Sequence, residues 1–275
     1  MIKRILVPTD GSESARRAAL YAVALGARLG ASLEAVHVVD VKLLEGPLVR
    51  DITTAMGATP FVTPPGNIAA LLEERGRAAL EWFGGECVRA GLPCETGISI
   101  GIVPRIIAEK ARLSDLIVMG RGGEHSAWLE GFLGSTTQAV VRRSPVPVLV
   151  TGTDTPVFED MLVAYDGSPL AKRALRAGAG VACEWNMRLH LLVVAAAPER
   201  LLGEAREYLE ARPVRVEYTG VSGDPGEAIV AHAEKCAAGI VVMGAFGHTK
   251  LREMMLGSTT VYTLNKAPCP VLLIR

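Results

Sequence analysis

The chain has 275 residues, a length that suggests two domains, and apolar residues make up 49 % of it. Its 29 basic residues equal its 29 acidic ones, so electrostatics gives no reason to expect general nucleic-acid binding. No apolar run is long enough to cross a bilayer. The five cysteines are scattered, with no Cys-x-x-Cys pair or Cys/His cluster in the sequence. This pattern favours reduced thiols and a cytoplasmic location.

The first elements of the chain alternate between strand and helix. Ile5–Val7 is predicted to be a buried strand, and Ser12 the N-cap of a helix from about Glu13 to Leu29 that ends at Gly30. Leu33–Val39 is predicted as the second strand. Alternating strands and helices indicate a parallel sheet covered on both faces, and the wholly apolar strands fit burial from both sides.

A long segment separates the second and third strands of the first half. It is about thirty residues longer than its counterpart in the second half and begins with a loop rich in proline and glycine. The loop is predicted to be irregular, or alternatively a lid over a site. Asn67 is then predicted to cap a long helix whose apolar stripe packs in the core. The stripe consists of Ile68, Leu71, Leu72, Ala79, Trp82 and Phe83.

The sequence repeats with a domain-sized period. Asp-Gly-Ser at 10–12 returns at 166–168, and Pro-x-Pro-Val-Leu at 145–149 returns at 268–272. Ser168 followed by proline is predicted to begin the first helix of the second copy. The repeats indicate a tandem duplication, with residues 1–152 and 158–275 as the two domains and a short linker between them.

Each copy carries a glycine motif after its fourth predicted strand. In the second copy the apolar run 239–243 leads to Gly244-Ala245-Phe246-Gly247, and Gly257-Ser258-Thr259 follows nine residues later. The first copy has the same arrangement at 120–123 and 134–136, with ten intervening residues. A strand that ends in glycines before a helix N-terminus is a common phosphate-binding arrangement. The alternative is that these glycines simply end strands.

These motifs together resemble those of a tandem universal stress protein of the ATP-binding type, over nearly the whole chain. The second copy matches that family's spacing with Gly244, Gly247, Gly257 and Ser258, whereas the first copy has one extra residue before Gly134. The resemblance implies two tandem flavodoxin-like, or Rossmann-like, α/β domains. Each would have a five-stranded parallel sheet of order 3-2-1-4-5, with a ligand crevice between the ends of strands one and four.

The resemblance further implies that each crevice binds an adenine nucleotide, ATP foremost, together with Mg²⁺. In the first copy the expected contact residues are Pro8, Thr9, Asp10, Val38, Met119, Gly120, Arg121, Gly122, Gly123, Gly134, Ser135 and Thr136. In the second copy they are Ala164, Tyr165, Asp166, Val193, Met243, Gly244, Phe246, Gly247, Gly257, Ser258 and Thr259. Val38 and Val193 enter only through the resemblance, as backbone contacts to adenine.

Several of these residues also have a simpler interpretation. Asp10 and Asp166 either accept ribose hydroxyls or help hold the metal, or they only form the turn before a helix. Ser135 either donates to phosphate or caps its helix, where Gln138 completes a capping box. Arg121 either contacts a phosphate or is a solvated arginine.

Catalytic signatures are weak. Gly-x-Ser-x-Gly at 97–101 spells a nucleophile elbow, but the strand is expected at the sheet edge and has no suitably spaced partners. His37, His190 and His232 are predicted to be structural, and no Walker P-loop occurs. These observations favour a nucleotide-dependent switch or sensor in the stress response, with a slow ATP hydrolase or a nucleotide-free structural protein as alternatives. No nucleic-acid or membrane partner is expected.

The fifth strands, Val146–Val150 and Pro270–Ile274, are apolar and carry no charges that would protect an exposed edge. Antiparallel pairing of the two edges would satisfy both backbones. We therefore predict that the two halves pair with each other through these strands, with a homodimer through other surfaces left open. The alternative is that each edge pairs with another chain to give a larger oligomer.

Overall fold

The computed structural model describes residues 2–42, 65–122, 133–152, 155–245 and 256–275, with the backbone alone at 65–68. Its strands, in chain order, are β1 (Arg4–Pro8), β2 (Ser32–Asp40), β3 (Cys94–Gly101), β4 (Leu116–Gly120), β5 (Val148–Thr151), β6 (Asp160–Ala164), β7 (Arg188–Val194), β8 (Val216–Val221), β9 (Ile240–Gly244) and β10 (Val271–Ile274). Its helices are α1 (Glu13–Leu29), α2 (Pro65–Arg89), α3 (Val103–Lys110), α4 (Ser135–Arg143), α5 (Pro169–Trp185), α6 (Glu199–Glu210), α7 (Pro225–Lys235) and α8 (Ser258–Lys266).

The ten described strands form one sheet in the order β3-β2-β1-β4-β5-β10-β9-β6-β7-β8. Within each half the neighbouring strands are parallel, and each half runs third, second, first, fourth, fifth from its outer edge. The prediction of two tandem α/β units with parallel sheets and helices on both faces is confirmed. Successive residues of a strand point to opposite faces, so Ile5 and Val7 enter one core cluster while Leu6 enters the other.

The two halves join through their fifth strands. β5 and β10 pair antiparallel, with Leu149 opposite Leu272 and Val150 opposite Val271. Both leucines are almost completely buried. The structure therefore shows the predicted pairing within the chain. The pairing joins the two halves into one continuous sheet and covers two edges that would otherwise be exposed.

The first helix of each half starts as its sequence predicts. Ser12 Oγ accepts a hydrogen bond from the Ala15 N–H at 3.2 Å, and Ser168 Oγ accepts one from the Ala171 N–H at 3.1 Å. α1 ends at Gly30, whose φ of 59° is the left-handed conformation that glycine adopts without strain. Both helices therefore have the predicted caps.

The prediction for α2 was wrong in two respects. The helix begins at Pro65 and not after Asn67, because proline is tolerated in the first turn of a helix, where its missing N–H has no intrahelical partner anyway. The apolar stripe also does not pack as one unit. Phe83 is buried in the core, but Leu71 is 62 % exposed.

The Gly-x-Ser-x-Gly sequence lies within β3, an outer strand of the sheet, and not in a turn between a strand and a helix. Ser99 therefore lacks the strained strand-to-helix turn that exposes the serine of a nucleophile elbow. None of the helices described here combines the length and apolar character that a bilayer span requires.

Candidate functional site

A cavity of about 360 Å³ opens at the carboxyl ends of β1, β2 and β4. From this point the sheet continues through β2 and β3 on the β1 side and through β5 on the β4 side. The strand order therefore reverses between β1 and β4. Ligands of open parallel sheets bind at such a reversal, and the volume is typical of small-molecule sites. Nine of the predicted residues line it, namely Pro8, Thr9, Asp10, Val38, Met119, Gly120, Gly122, Ser135 and Thr136.

Of the other three predicted residues of the first half, the two that the structure describes do not line the cavity. Gly134 precedes α4 and Arg121 turns away from the cavity, while Gly123 falls outside the described residues. Leu72 and Arg75 of α2 also line the cavity, although the sequence analysis assigned Leu72 to the core. The unusual length of the preceding segment was the signal that could have connected α2 with the site.

The N-terminus of α4 forms one wall. The N-cap is Gly134 in extended conformation, with no side-chain cap, and Ser135 is the first helical residue. The predicted capping box was therefore wrong, because Ser135 lies one position too late, and Gln138 Nε2 instead donates to the Leu133 carbonyl at 3.0 Å. With no side chain on the N-cap and no acid in the first turn, this helix end is suited to an anion.

Gly120 and Gly244 are explained by packing. A Cβ at Gly120 would overlap the Oγ and the backbone of Ser14 in α1, and one at Gly244 would lie 2.9 Å from Leu170 Cβ. Each glycine lets the first helix of its half cross the end of the fourth strand. Packing against the first helix is thus enough to explain why both positions are glycine. Both glycines nevertheless lie beside the crevice.

Asp10 and Asp166 form the turns that the simpler interpretation predicts. Asp10 Oδ1 accepts the Ser12 N–H at 3.0 Å, and Asp166 Oδ1 accepts the Ser168 N–H at 2.9 Å. The residue between each pair is a glycine with a φ of 78°. These turns hold Asp10 at the wall of the cavity, so the structural role and a ligand contact are compatible.

His37 is a cavity residue whose position the sequence analysis did not recognise. Its ring is buried, and Nδ1 lies 2.9 Å from the Thr9 carbonyl oxygen. Because a carbonyl only accepts, Nδ1 carries the proton in this contact. α2 packs on the ring at Gly76, where there is no room for a Cβ. The contact links α2, β2 and the β1 end of the cavity.

We expect Gly76→Ala to lower the free energy of unfolding by about 1–3 kcal/mol, because the new Cβ must displace the His37 ring. Gly84→Ala in the same helix is the matched control, since a Cβ there meets nothing within 4 Å. The control should gain about 0.5–1 kcal/mol from reduced backbone freedom in the unfolded chain. Urea denaturation of both variants tests this, and equal effects of the same sign would contradict the packing account.

In the second half the predicted residues divide between core and crevice. Tyr165 and Val193 are buried in the core, and Asp166 and Ser258 are exposed. The remaining described residues lie at the ends of β6 and β9 or at the start of α8, namely Ala164, Met243, Gly244, Gly257 and Thr259. Phe246 and Gly247 lie outside the described residues.

Val38 and Val193, which the resemblance names as adenine contacts, do not occupy equivalent positions in the two halves. β1 pairs Leu6 with Glu34, and β6 pairs Leu162 with His190, so four residues further along the counterpart of Val38 is Val194. A shift of one residue moves a side chain to the opposite face of a strand. Val193 accordingly lies in one core cluster, whereas Val38 and Val194 are both half-buried against the other.

Comparisons with known proteins agree on one family. The sequence model of the universal stress protein family matches residues 1–58, 102–152 and 195–275. A universal stress protein of Synechocystis sp. is 28 % identical over 291 residues, covering 100 % of both chains. One from Thermus aquaticus is 37 % identical over 138 residues, covering 43 % of this chain and 100 % of its own. The crystal structure of a universal stress protein from Archaeoglobus fulgidus has a TM-score of 0.79 at 24 % identity, covering 99 % of this chain and 96 % of that one, which shows the shared fold. The chain belongs to the universal stress protein family.

Proposed function

We propose that the first-half cavity binds an adenine nucleotide, ATP foremost, and that the protein acts as a nucleotide-dependent switch or sensor in the stress response. One observation carries the proposal. The cavity at the reversal of strand order has apolar walls at one side and the uncapped N-terminus of α4 at the other. An apolar region for a base beside an anion-binding helix end suits a nucleotide.

The base is placed against β2 and α3. Val38, Val103 and Ile107 supply apolar surface there, and Met119 closes the floor. The phosphates are placed at Ser135 and Thr136, where backbone N–H groups and hydroxyls at the start of α4 are available as donors. Arg75 also lines the cavity and adds a guanidinium on the α2 side.

Mg²⁺ is proposed as part of the ligand. Asp10 and Asp40 both line the cavity, and two carboxylates near a triphosphate repel it unless a cation lies between them. Carboxylate and phosphate oxygens are the ligands that Mg²⁺ prefers. The described residues therefore fit a magnesium–nucleotide complex, in which Asp10, held in the turn before α1, would face the cation.

A second nucleotide is proposed for the crevice of the other half. Its support is the repeat of the turn at Asp166, the glycine-capped start of α8 at Gly257, and the family's motif spacing. The two domains that would bind these nucleotides are proposed to span residues 1–152 and 158–275, sharing the sheet through β5 and β10.

Val38→Trp is expected to fill the first cavity and to weaken binding of magnesium–ATP there by about tenfold or more. Val194→Trp should do the same in the second half, so calorimetry should give two nucleotides per parent chain and one per single variant. Omitting Mg²⁺ should weaken binding in all of them. Ile100→Trp, at a position 54 % exposed on the outer strand β3, is the control for adding an indole. Unchanged stoichiometry and affinity in Val38→Trp would reject the proposed location.

A further inference from the structure

Three metal-ligand side chains converge in the second half, away from the nucleotide crevice. They are His190 on β7, His232 on α7 and Cys236 at the end of α7, and their ligand nitrogen and sulfur atoms all lie within 4.8 Å of one another. His232 and Cys236 are four residues apart, so they share one face of the helix, which packs against the sheet above His190. The sequence analysis assigned both histidines to structural roles and found no Cys/His cluster, because β7 and α7 are far apart along the chain.

Two carboxylates surround the His190 ring. Its Nε2 lies 2.7 Å from Asp160 Oδ1, and its Nδ1 lies 3.4 Å from Glu217 Oε2. Asp160 also receives Arg188 Nε at 3.1 Å, which fixes that carboxylate in place. A carboxylate that accepts one ring N–H of a histidine orients the other nitrogen toward a metal. Glu217 is 57 % exposed and pairs with Arg188 Nη1 through Oε1 at 3.2 Å, which leaves Oε2 beside the His190 ring as a candidate fourth ligand.

The first half is built differently at the equivalent position. Glu34 occupies the place of His190, since each is the third residue of its strand and pairs with the corresponding leucine of the first strand. Glu34 forms ion pairs with Arg4 at 2.9 Å and with Lys110 at 3.0 Å. The duplicated fold is thus held there by an ordinary ion-pair network. The second half has imidazole and thiol groups instead, which the fold itself does not require.

We propose that His190, His232 and Cys236 bind one zinc-like divalent cation, with Glu217 or water in the fourth position. Two imidazole nitrogens and one thiolate are a donor set that favours Zn²⁺ over the oxygen-seeking Mg²⁺ and Ca²⁺. The bound ion ties the C-terminal end of α7 to the strands beneath it. His190 lies four residues before Val194, the last residue of β7, and thus about 13 Å from the crevice end of that strand. The zinc site is therefore separate from the nucleotide crevice.

The charged groups that face His232 and Cys236 are Asp160, Glu217, Arg188 and Lys235. Burial raises the pKa of the Cys236 thiol and lowers the pKa of the His232 ring. Zinc binds cysteine as the thiolate and histidine as the neutral ring.

Cobalt is the probe that tests the site, because a thiolate bound to Co²⁺ gives a near-ultraviolet charge-transfer band. Full-length protein freed of metal should bind one Co²⁺ per chain with that band, and one equivalent of Zn²⁺ should displace it. Cys236→Ser should abolish the band, whereas Cys183→Ser, a half-buried thiol outside the cluster, should leave it unchanged. Asp160→Asn should weaken zinc binding by about 10–100-fold.

Calorimetry with Zn²⁺ on His232→Asn provides a second measurement that does not depend on the thiol, and circular dichroism checks the fold of each variant. Zinc should also raise the melting temperature of the parent and not of either ligand variant. If the parent protein shows neither the cobalt band nor stabilisation by zinc, the proposal is wrong. The cluster is then only a hydrogen-bonded replacement for the ion pairs of the first half. A band that persists in Cys236→Ser would equally overturn the proposal.

Discussion

Replacing both Leu149 and Leu272 by lysine is expected to lower the free energy of unfolding by roughly 5 kcal/mol or more, which is enough to unfold or separate the two halves. The two leucines face each other across the only described antiparallel pair of the sheet and are 2 % and 7 % exposed. The change removes two buried apolar side chains and places two ammonium groups opposite one another without a carboxylate partner. Neighbouring charges of like sign add to the cost of burying each one.

Urea denaturation and hydrogen exchange measure this effect. Leu113→Lys is the control for the same chemical change at the surface, since Leu113 is 81 % exposed and should change stability by less than about 0.5 kcal/mol. Amides of β5 and β10 should exchange faster in the double variant than in the parent. If they stay equally slow and the urea midpoint is unchanged, the junction described here does not hold the halves together.

Arg121→Ala is expected to cost about 3 kcal/mol in unfolding free energy while leaving nucleotide affinity unchanged within about twofold. The guanidinium, which follows β4 of the first half, donates to the carbonyls of Ala267 at 2.5 Å and Cys269 at 3.1 Å in the second half. Burial lowers the pKa of Arg121 from its usual value, because desolvation disfavours the charged guanidinium. These bonds are charge-assisted and partly buried, so removing them leaves two carbonyls with one donor fewer.

The same substitution separates this structural role of Arg121 from the predicted phosphate contact. Arg105→Ala removes an exposed arginine that pairs with Glu109 one helical turn away, and it should cost no more than about 0.5 kcal/mol. Denaturant titration and calorimetry with magnesium–ATP on both variants give the comparison. An Arg121→Ala protein of parental stability that binds ATP more than about tenfold more weakly would support the phosphate contact instead.

Local signals in the sequence were sufficient for most of the fold. Ser12 and Ser168 cap their helices because a hydroxyl, a helix start and the spacing to the next N–H lie within four residues. The pairing of the fifth strands was predictable from their apolar sequence, because an edge strand without protecting charges is stable only when it is paired.

Errors arose where the outcome depended on register or on distant contacts. The resemblance named Val38 and Val193 together, and the one-residue offset between them was not visible in the sequence, because apolar strands buried on both faces carry no alternation that reveals which face a residue occupies. Ser135 was assigned as a cap because a glycine and a serine at a helix start compete for that position, and sequence does not decide between them.

The site itself was predictable in part. The crevice, with Asp10 and Ser135 at its wall, followed from the repeated motifs. Arg75 and the His37–Gly76 contact did not, since they depend on how α2 lies over β2. The cluster of His190, His232 and Cys236 joins a strand to a helix distant in sequence, and only the pair on α7 had a recognisable spacing.

A crystal structure of the protein grown with ATP and Mg²⁺ will show whether the first-half cavity binds a nucleotide. We predict nucleotide density in the first-half cavity, with the base beside Val38 and the phosphates at the N-terminus of α4 next to Ser135 and Thr136. Density for a cation is expected between the phosphates and Asp10. A cavity that stays empty at saturating nucleotide, or density confined to the second half, would contradict the account.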